Sequence, residues 1–159
     1  MTLSLTSPFP LPAGKPDHLY EAWEALRLAR QVPWSAHEPG SWHLEFHEQI
    51  SRAQRLISAH VDEVDGAEAT LVRRGAVSAL RQQLEDHAVL LNQIRKVLGE
   101  VEVAGPGDVH AVVDLSERTA LIEMRVAMHQ NRLLKFFGQS AAESPPNRDA
   151  RARVLAGRI

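Results

Sequence analysis

The chain has 159 residues, a length that is enough for one domain with a buried core. Of these residues, 44% are hydrophobic and 24% are charged, as is ordinary for a globular protein. Its net charge of −2 gives no reason to expect nucleic acid or an anionic membrane as a partner. The absence of cysteine excludes disulfides, thiolate metal ligands and a cysteine nucleophile.

Residues 1–16 form a proline-rich lead with Pro8, Pro10, Pro12 and Pro16, a composition that predicts an extended or disordered segment. This lead has neither the basic segment nor the long apolar run of a secretory signal. No stretch of the chain approaches the ~20 apolar residues that span a bilayer. We therefore expect a soluble, cytoplasmic protein.

A first helix is predicted from a cap at Asp17 to about Val32, because Pro33 cannot continue a helix interior. We expect Trp34 to pack over the end of the bundle. The predicted core stripe of this helix consists of Leu19, Ala22 or Trp23, Leu26, and Ala29 or Arg30.

A second helix is predicted from a cap at Ser41 to about Val64, with Gly66 as its end. A three- and four-residue spacing places several side chains on one face of this helix. They are Trp42, Phe46, Ile50, Ala53, Ile57, His60 and Val64.

A third helix contains an apolar stripe with the same spacing: Val77, Leu80, Leu84, Leu91, Ile94 and Leu98. His87 is the one polar residue in this register, and Gly99 is the predicted end. The start has two alternatives. Residues 68–74 form the first turns of this helix, or Gly75 breaks them off.

A fourth helix is predicted to start at Asp108 or at Ser116 and to reach about Phe137, with Gly138 as its cap. It carries two apolar faces. One consists of Ala120, Leu121, Met124, Ala127, Met128 and Leu134, and the other of Leu115, Ile122, Val126, His129, Leu133 and Phe136. Because a helix with two apolar faces is central or contacts a second chain, we expect a homodimer or another protein partner.

Four helices with short connections predict an all-α fold, an antiparallel up-down four-helix bundle. We expect this single domain to span residues 17–138, after the lead at 1–16. Residues 139–159 contain Pro145, Pro146 and four arginines, which predicts a frayed, flexible tail.

The histidines are the candidate site. If the third helix begins after Gly75, then His18, His60, His87 and His129 converge near one end of the bundle. Each of them lies within a few turns of the helix end on that side, at a rise of ~1.5 Å per residue. Facing histidines on neighbouring helices are how bundles build metal sites.

We call this arrangement of the histidines the first layering. A second layering follows if the third helix runs unbroken from Ala67, because His87 then lies at the height of His43 and His47 and opposite them. Both sets cannot serve one site. The ordinary alternative to a metal is a buried imidazole that is hydrogen-bonded by Glu63, Glu85 or Asp86.

Three stretches resemble the hemerythrin-like (HHE cation-binding) family: FHEQISRAQRLISAHVDEV, LRQQLEDHAVLLNQI and LIEMRVAMHQNRLLKFF. The resemblance covers residues 17–138 and implies a helical bundle that holds iron through histidines and bridging carboxylates. Carried over by position, it implies His18, His60, His87 and His129 as ligands, with Glu63 as a carboxylate.

The chain differs from the family pattern at three positions. Val64 and Leu134 stand where the family has acids, and Leu91 stands where it has a second histidine. Since a di-iron centre needs bridging carboxylates, we expect one metal, iron or zinc, or none.

The sequence therefore predicts a non-enzymatic bundle with a binding or structural role and a degenerate metal site. The alternative is a working iron- or zinc-binding bundle that senses or stores a small ligand such as oxygen. A Gly-rich phosphate loop and a nucleophile elbow are both missing from the chain, so we expect no enzyme.

Overall fold

A computed structural model describes residues 17–35, 41–73 and 77–142. Within these ranges the chain is all-helical and has no strand. Its elements are α1 (His18–Ser35), α2 (Trp42–Arg73), α3 (Val77–Val103) and α4 (Val109–Ala142). Helix α1 packs against α2 and α4, and α3 also packs against α2 and α4, so the four helices surround one core. The predicted lead and residues 143–159 of the predicted tail lie outside the described ranges.

Helix α1 starts as predicted, because Asp17 Oδ1 accepts hydrogen bonds from the backbone N–H groups of Leu19 (3.0 Å) and Tyr20 (3.2 Å). It passes Pro33 and ends at Ser35, whose hydroxyl donates to the Gln31 carbonyl (3.1 Å). Its buried residues are Leu19, Ala22, Ala25, Leu26, Ala29 and Val32. Trp34 is 69% exposed, and the prediction that it packs over the bundle is wrong. It lies about 200° around the helix from buried Val32, two residues earlier.

Helix α2 begins directly after Ser41, and the predicted core face is confirmed at Trp42, Phe46, Ile50, Ala53 and Ile57. His60 and Val64, further along this face, are half-buried. Trp42 Nε1 donates a hydrogen bond to the Pro106 carbonyl (2.9 Å) and ties α2 to the α3–α4 connection. Gly66 does not end the helix, which continues to Arg73. A glycine inside a helix costs only about 1 kcal/mol, which is less than a break requires.

Helix α3 begins at Val77, so the alternative of a helix unbroken from Ala67 is wrong. Gly75 itself falls between the described ranges. The helix also passes Gly99, the predicted end, and reaches Val103.

The buried stripe of α3 is rotated from the predicted one. It consists of Gln83, His87, Leu90, Ile94, Val97 and Val101. Leu84 is 39% exposed, while Leu91 and Leu98 lie half-buried at the margin of the core. The side chains of Val77 and Leu80 lie outside the described part of the structure. Both stripes have the same spacing and share His87 and Ile94, so periodicity alone does not distinguish them.

Helix α4 begins at Val109, the earlier of the two predicted starts, because Asp108 Oδ1 caps the backbone N–H of Ala111 (3.0 Å). It continues past Gly138 to Ala142, beyond the predicted cap. Of the two predicted apolar faces, one is core: Leu115, Ile122, Val126, His129 and Leu133. The side chain of Phe136 lies outside the described part. The four larger residues of the other face, Leu121, Met124, Met128 and Leu134, are exposed.

None of the described helices combines the length and the apolar character that crossing a membrane requires.

Candidate metal centre

Three histidines from three helices meet inside the bundle: His60 on α2, His87 on α3 and His129 on α4. Their ring centroids lie 4.7 Å apart for His87 and His129, 5.2 Å for His60 and His87, and 5.6 Å for His60 and His129. Each ring offers one nitrogen such that all three nitrogens lie within 4.8 Å of one another. His87 and His129 are buried, and His60 is half-buried. We call these three residues the histidine cluster.

The cluster forms because its members lie at the same height in the bundle. His60 precedes the end of α2 at Arg73, and His129 precedes the end of α4 at Ala142, by the same stretch of helix. His87 follows the start of α3 at Val77 by a slightly shorter stretch. With a rise of ~1.5 Å per residue, all three lie at ~15–20 Å from these helix ends. The first layering predicted from the sequence is therefore confirmed for these three histidines.

Asp86 orients His129. The His129 Nδ1 atom lies 3.2 Å from Asp86 Oδ2, and Arg132 donates a hydrogen bond to the same oxygen (2.6 Å). An Nδ1–H donor leaves Nε2 of a neutral imidazole as the acceptor. His129 Nε2, which points at His87, therefore carries the lone pair that a metal ion needs. A carboxylate behind a histidine is the usual second partner of a metal-binding imidazole.

The Nε2 atoms of His87 and His129 lie 2.9 Å apart, a hydrogen-bond distance. Because His129 accepts at Nε2, His87 donates from its own Nε2–H in the metal-free state. A metal ion bound between the two rings would replace this shared proton, and His87 would then carry its proton on Nδ1.

Burial disfavours the charged form of two members of the cluster, His60 and His129. The pKa of His60 is lowered from 6.5 to about 3, mainly by burial and then by the neighbouring His87, His129 and His18, in that order. Burial also lowers the pKa of His129, although the hydrogen bond and the charge of Asp86 oppose this shift. Both imidazoles are neutral at pH 7, which is the form that binds metal ions.

His60 Nε2 is buried and has no hydrogen-bond partner among the described residues. A buried polar atom without a partner is uncommon, since its desolvation costs about 1–3 kcal/mol. This atom belongs to the ring that completes the histidine cluster. A metal ion bound at that nitrogen would satisfy it.

The other predicted ligands form a pair beside the cluster. His18 Nε2 lies 3.2 Å from Glu63 Oε1, and Glu63 is largely exposed. His18 is close enough to His60 to influence its pKa, but neither His18 nor Glu63 belongs to the three-nitrogen group. The second layering is wrong, because His47 Nε2 pairs with Glu102 Oε1 (3.5 Å) near the far end of α3.

Sequence reasoning did not identify all of the side chains that hold the histidine cluster in position. Asp86 was predicted only as one of three carboxylates able to bond a buried imidazole, and Arg132 was not predicted at all. The available signal was weak, because Asp86 directly precedes His87 but contacts the histidine of the neighbouring helix. Arg132 lies one turn after His129 and so on the same side of α4.

A solvent-open groove between α3 and α4 reaches the Asp86 side of His129 and has a volume of about 370 Å³. Its walls are Val89, Leu90, Met124, Arg125, Met128 and Arg132. The groove connects His129 and its partners Asp86 and Arg132 with the surface of the bundle.

No family model, no curated protein and no solved structure matches this chain.

Proposed function

We propose that this protein is a metal-binding helical bundle that holds one transition-metal ion through His60, His87 and His129. The observation that carries the proposal is the convergence of three imidazole nitrogens, from three separate helices, within 4.8 Å. Of the two roles predicted from the sequence, this geometry supports the metal-binding one. The buried Nε2 of His60 and the oriented Nε2 of His129 support it independently.

The type of ligand limits which metal ions can bind at this site. Imidazole suits zinc, iron, copper and nickel, whereas calcium and magnesium prefer oxygen ligands. Zinc–imidazole bonds of ~2.0–2.1 Å separate tetrahedral ligand nitrogens by roughly 3.3 Å. The 2.9 Å between His87 and His129 is close to this separation, so small ring movements suffice there. We propose zinc or iron as the bound ion.

One ion fits this site better than two. The positions that differ from the hemerythrin-like pattern carry no ligand, since Val64, Leu91 and Leu134 are apolar. Leu134 is in addition 42% exposed, away from the core. Among the described residues, the three-nitrogen group contains no carboxylate that could bridge two cations. The hemerythrin-like ancestry, with a reduced metal site, is part of this proposal.

Contacts between the helices support the antiparallel up-down arrangement predicted from the sequence. Asp17 and Arg30, near the two ends of α1, contact Gln130 and Glu123, so position rises along α1 as it falls along α4. The same reversal holds for α3 and α4, where Asp86 contacts Arg132 and Glu100 contacts Arg118. An antiparallel arrangement agrees with the proposed site, because it brings histidines from three helices to one level.

The bound ion would give the protein a binding role. With three protein ligands, a bound ion would keep a coordination position open to water or to a small ligand such as oxygen. In this role the residues of the chain have two tasks. The three histidines hold the ion, and Asp86 with Arg132 holds the His129 ring in position. We propose a non-enzymatic sensor or store rather than a catalyst.

The test is the metal content of the untagged full chain from cells supplied with zinc and iron, measured by plasma mass spectrometry. We expect about one ion per chain in the natural protein and a small fraction of that in His60→Gln and His129→Gln. His110→Gln is the matched control, because His110 is exposed at the start of α4. Less than about 0.1 ion per chain, after loading with either metal, would assign the histidines a purely structural role.

A further inference from the structure

The outer side of α4 carries an exposed apolar strip. Leu121, Met124 and Met128 are 55%, 52% and 47% exposed, and they follow one another at spacings of three and four residues. Val89 of α3, 41% exposed, lies beside the two methionines at the groove between the helices. A contiguous apolar patch of this kind on a folded protein marks an interaction surface.

The strip extends into charged positions with the same heptad spacing. Two acids precede it, and a polar and a basic residue follow it. In chain order the complete seam is Asp114, Glu117, Leu121, Met124, Met128, Asn131 and Lys135, and every member is exposed. A helix face with apolar residues at its centre and charges at its ends has the pattern of a short two-helix seam.

The charges of the seam are arranged with opposite signs at its two ends. A parallel pairing of two such seams would place acid against acid and base against base. An antiparallel pairing places Glu117 of one copy against Lys135 of the other. The described residues offer neither Glu117 nor Lys135 an ion pair within the chain. The charges at Glu117 and Lys135 are therefore complementary when one copy of the seam is reversed, while Asp114 pairs with Arg118 of its own chain.

We propose that a second copy of this chain docks on α4 along this seam, antiparallel and about a two-fold axis between Met124 and Met128. Glu117 and Lys135 lie at equal distances on either side of position 126, about 13 Å along the helix, so both ion pairs form symmetrically. Met124 of each copy packs against Met128 of the other, and Val89 flanks this contact. The interface is isologous, as two-fold dimers require. It covers the groove beside His129 and does not depend on a bound metal.

The experiment is sedimentation equilibrium of the metal-free full chain over a range of concentrations. We expect a mass of twice the 17.7 kDa of the chain. Glu117→Lys places like charges against each other and raises the dimer Kd about tenfold or more, as does Lys135→Glu. Glu48→Lys, at an exposed position of α2, is the matched control and leaves the Kd unchanged.

Charge reversal tests the register. The double variant Glu117→Lys with Lys135→Glu restores the natural Kd, and a mixture of the two single variants forms heterodimers in preference to either homodimer. A natural chain that stays monomeric at high concentration overturns the proposal. So does a dimer whose Kd none of these variants changes, or single variants whose defects the double variant does not repair. Circular dichroism of each variant confirms that the helices are retained.

Discussion

His87 and His129 face each other across the contact between α3 and α4, with their Nε2 atoms 2.9 Å apart and both rings buried. Two imidazoles at this distance share one proton or one metal ion, because two bare lone pairs would repel and two N–H groups would clash. Asp86 decides the side on which His129 carries its proton. Together with the third ring, His60, this pair of histidines would link the proposed metal binding to the stability of the protein and to its pH dependence.

Replacing His87 by leucine removes a proposed metal ligand while keeping the volume of the core. We expect metal binding to fall at least about tenfold, since one of three ligands is lost. The metal-free stability should fall by about 1–3 kcal/mol, because the buried Nε2 of His129 loses its hydrogen-bond donor while the core keeps its volume. Metal stoichiometry and urea unfolding of the metal-free protein measure the two effects. Unchanged stoichiometry would exclude His87 as a ligand.

Asp86 acts as a positioning residue for His129. We expect Asp86→Asn to weaken metal binding by about 10–100-fold, the usual effect of removing a carboxylate behind a ligating histidine. Competition with a chromophoric chelator measures the metal Kd. Glu85→Gln removes a neighbouring exposed carboxylate and is the matched control. Equal affinities for the two variants would show that the contact between Asp86 and His129 does not serve metal binding.

Acid should destabilise the metal-free protein through His60. Its folded pKa of about 3 lies below the ordinary value of 6.5, so the unfolded chain binds more protons between these values. The His60 contribution is therefore complete above pH 6.5 and is lost as the pH falls toward 3. One such group changes the free energy of unfolding by at most about 1.4 kcal/mol per pH unit.

Urea unfolding of the natural chain and of His60→Leu between about pH 7.5 and 5 isolates this term, because most carboxylates titrate below that range. The natural chain should lose more stability than the variant over the interval. Parallel pH profiles would mean that His60 titrates alike in the folded and unfolded states.

Metal addition should stabilise the fold. An ion that binds only the folded state adds about 2.7 kcal/mol at a free concentration about 100 times its Kd, and the melting temperature rises accordingly. Differential scanning calorimetry with zinc and then with excess chelator measures the rise and its reversal. His87→Leu should show a much smaller rise. A rise of the same size in that variant would place the ion at a different site.

Local signals in the sequence predicted where helices begin. Asp17 caps α1 as predicted, and Asp108, one of two predicted starts, caps α4, because a cap depends only on a side chain and the backbone two or three residues away. Glycines were poorer guides to helix ends. Helices continue through Gly66, Gly99 and Gly138, since a glycine inside a helix costs only about 1 kcal/mol.

The spacing of apolar residues can be read within a single helix, without knowledge of its neighbours. The sequence by itself therefore determined that the described chain is helical and that His60, His87 and His129 lie on stripes facing inward. The rotation of a helix about its own axis, and its height relative to a neighbouring helix, depend on contacts between the two helices. Only the tertiary structure decided that Gln83 rather than Leu84 is buried on α3, and that three histidines share one level. The physical reason is that these choices depend on the packing of each helix against its neighbours across the core, contacts that no local pattern contains.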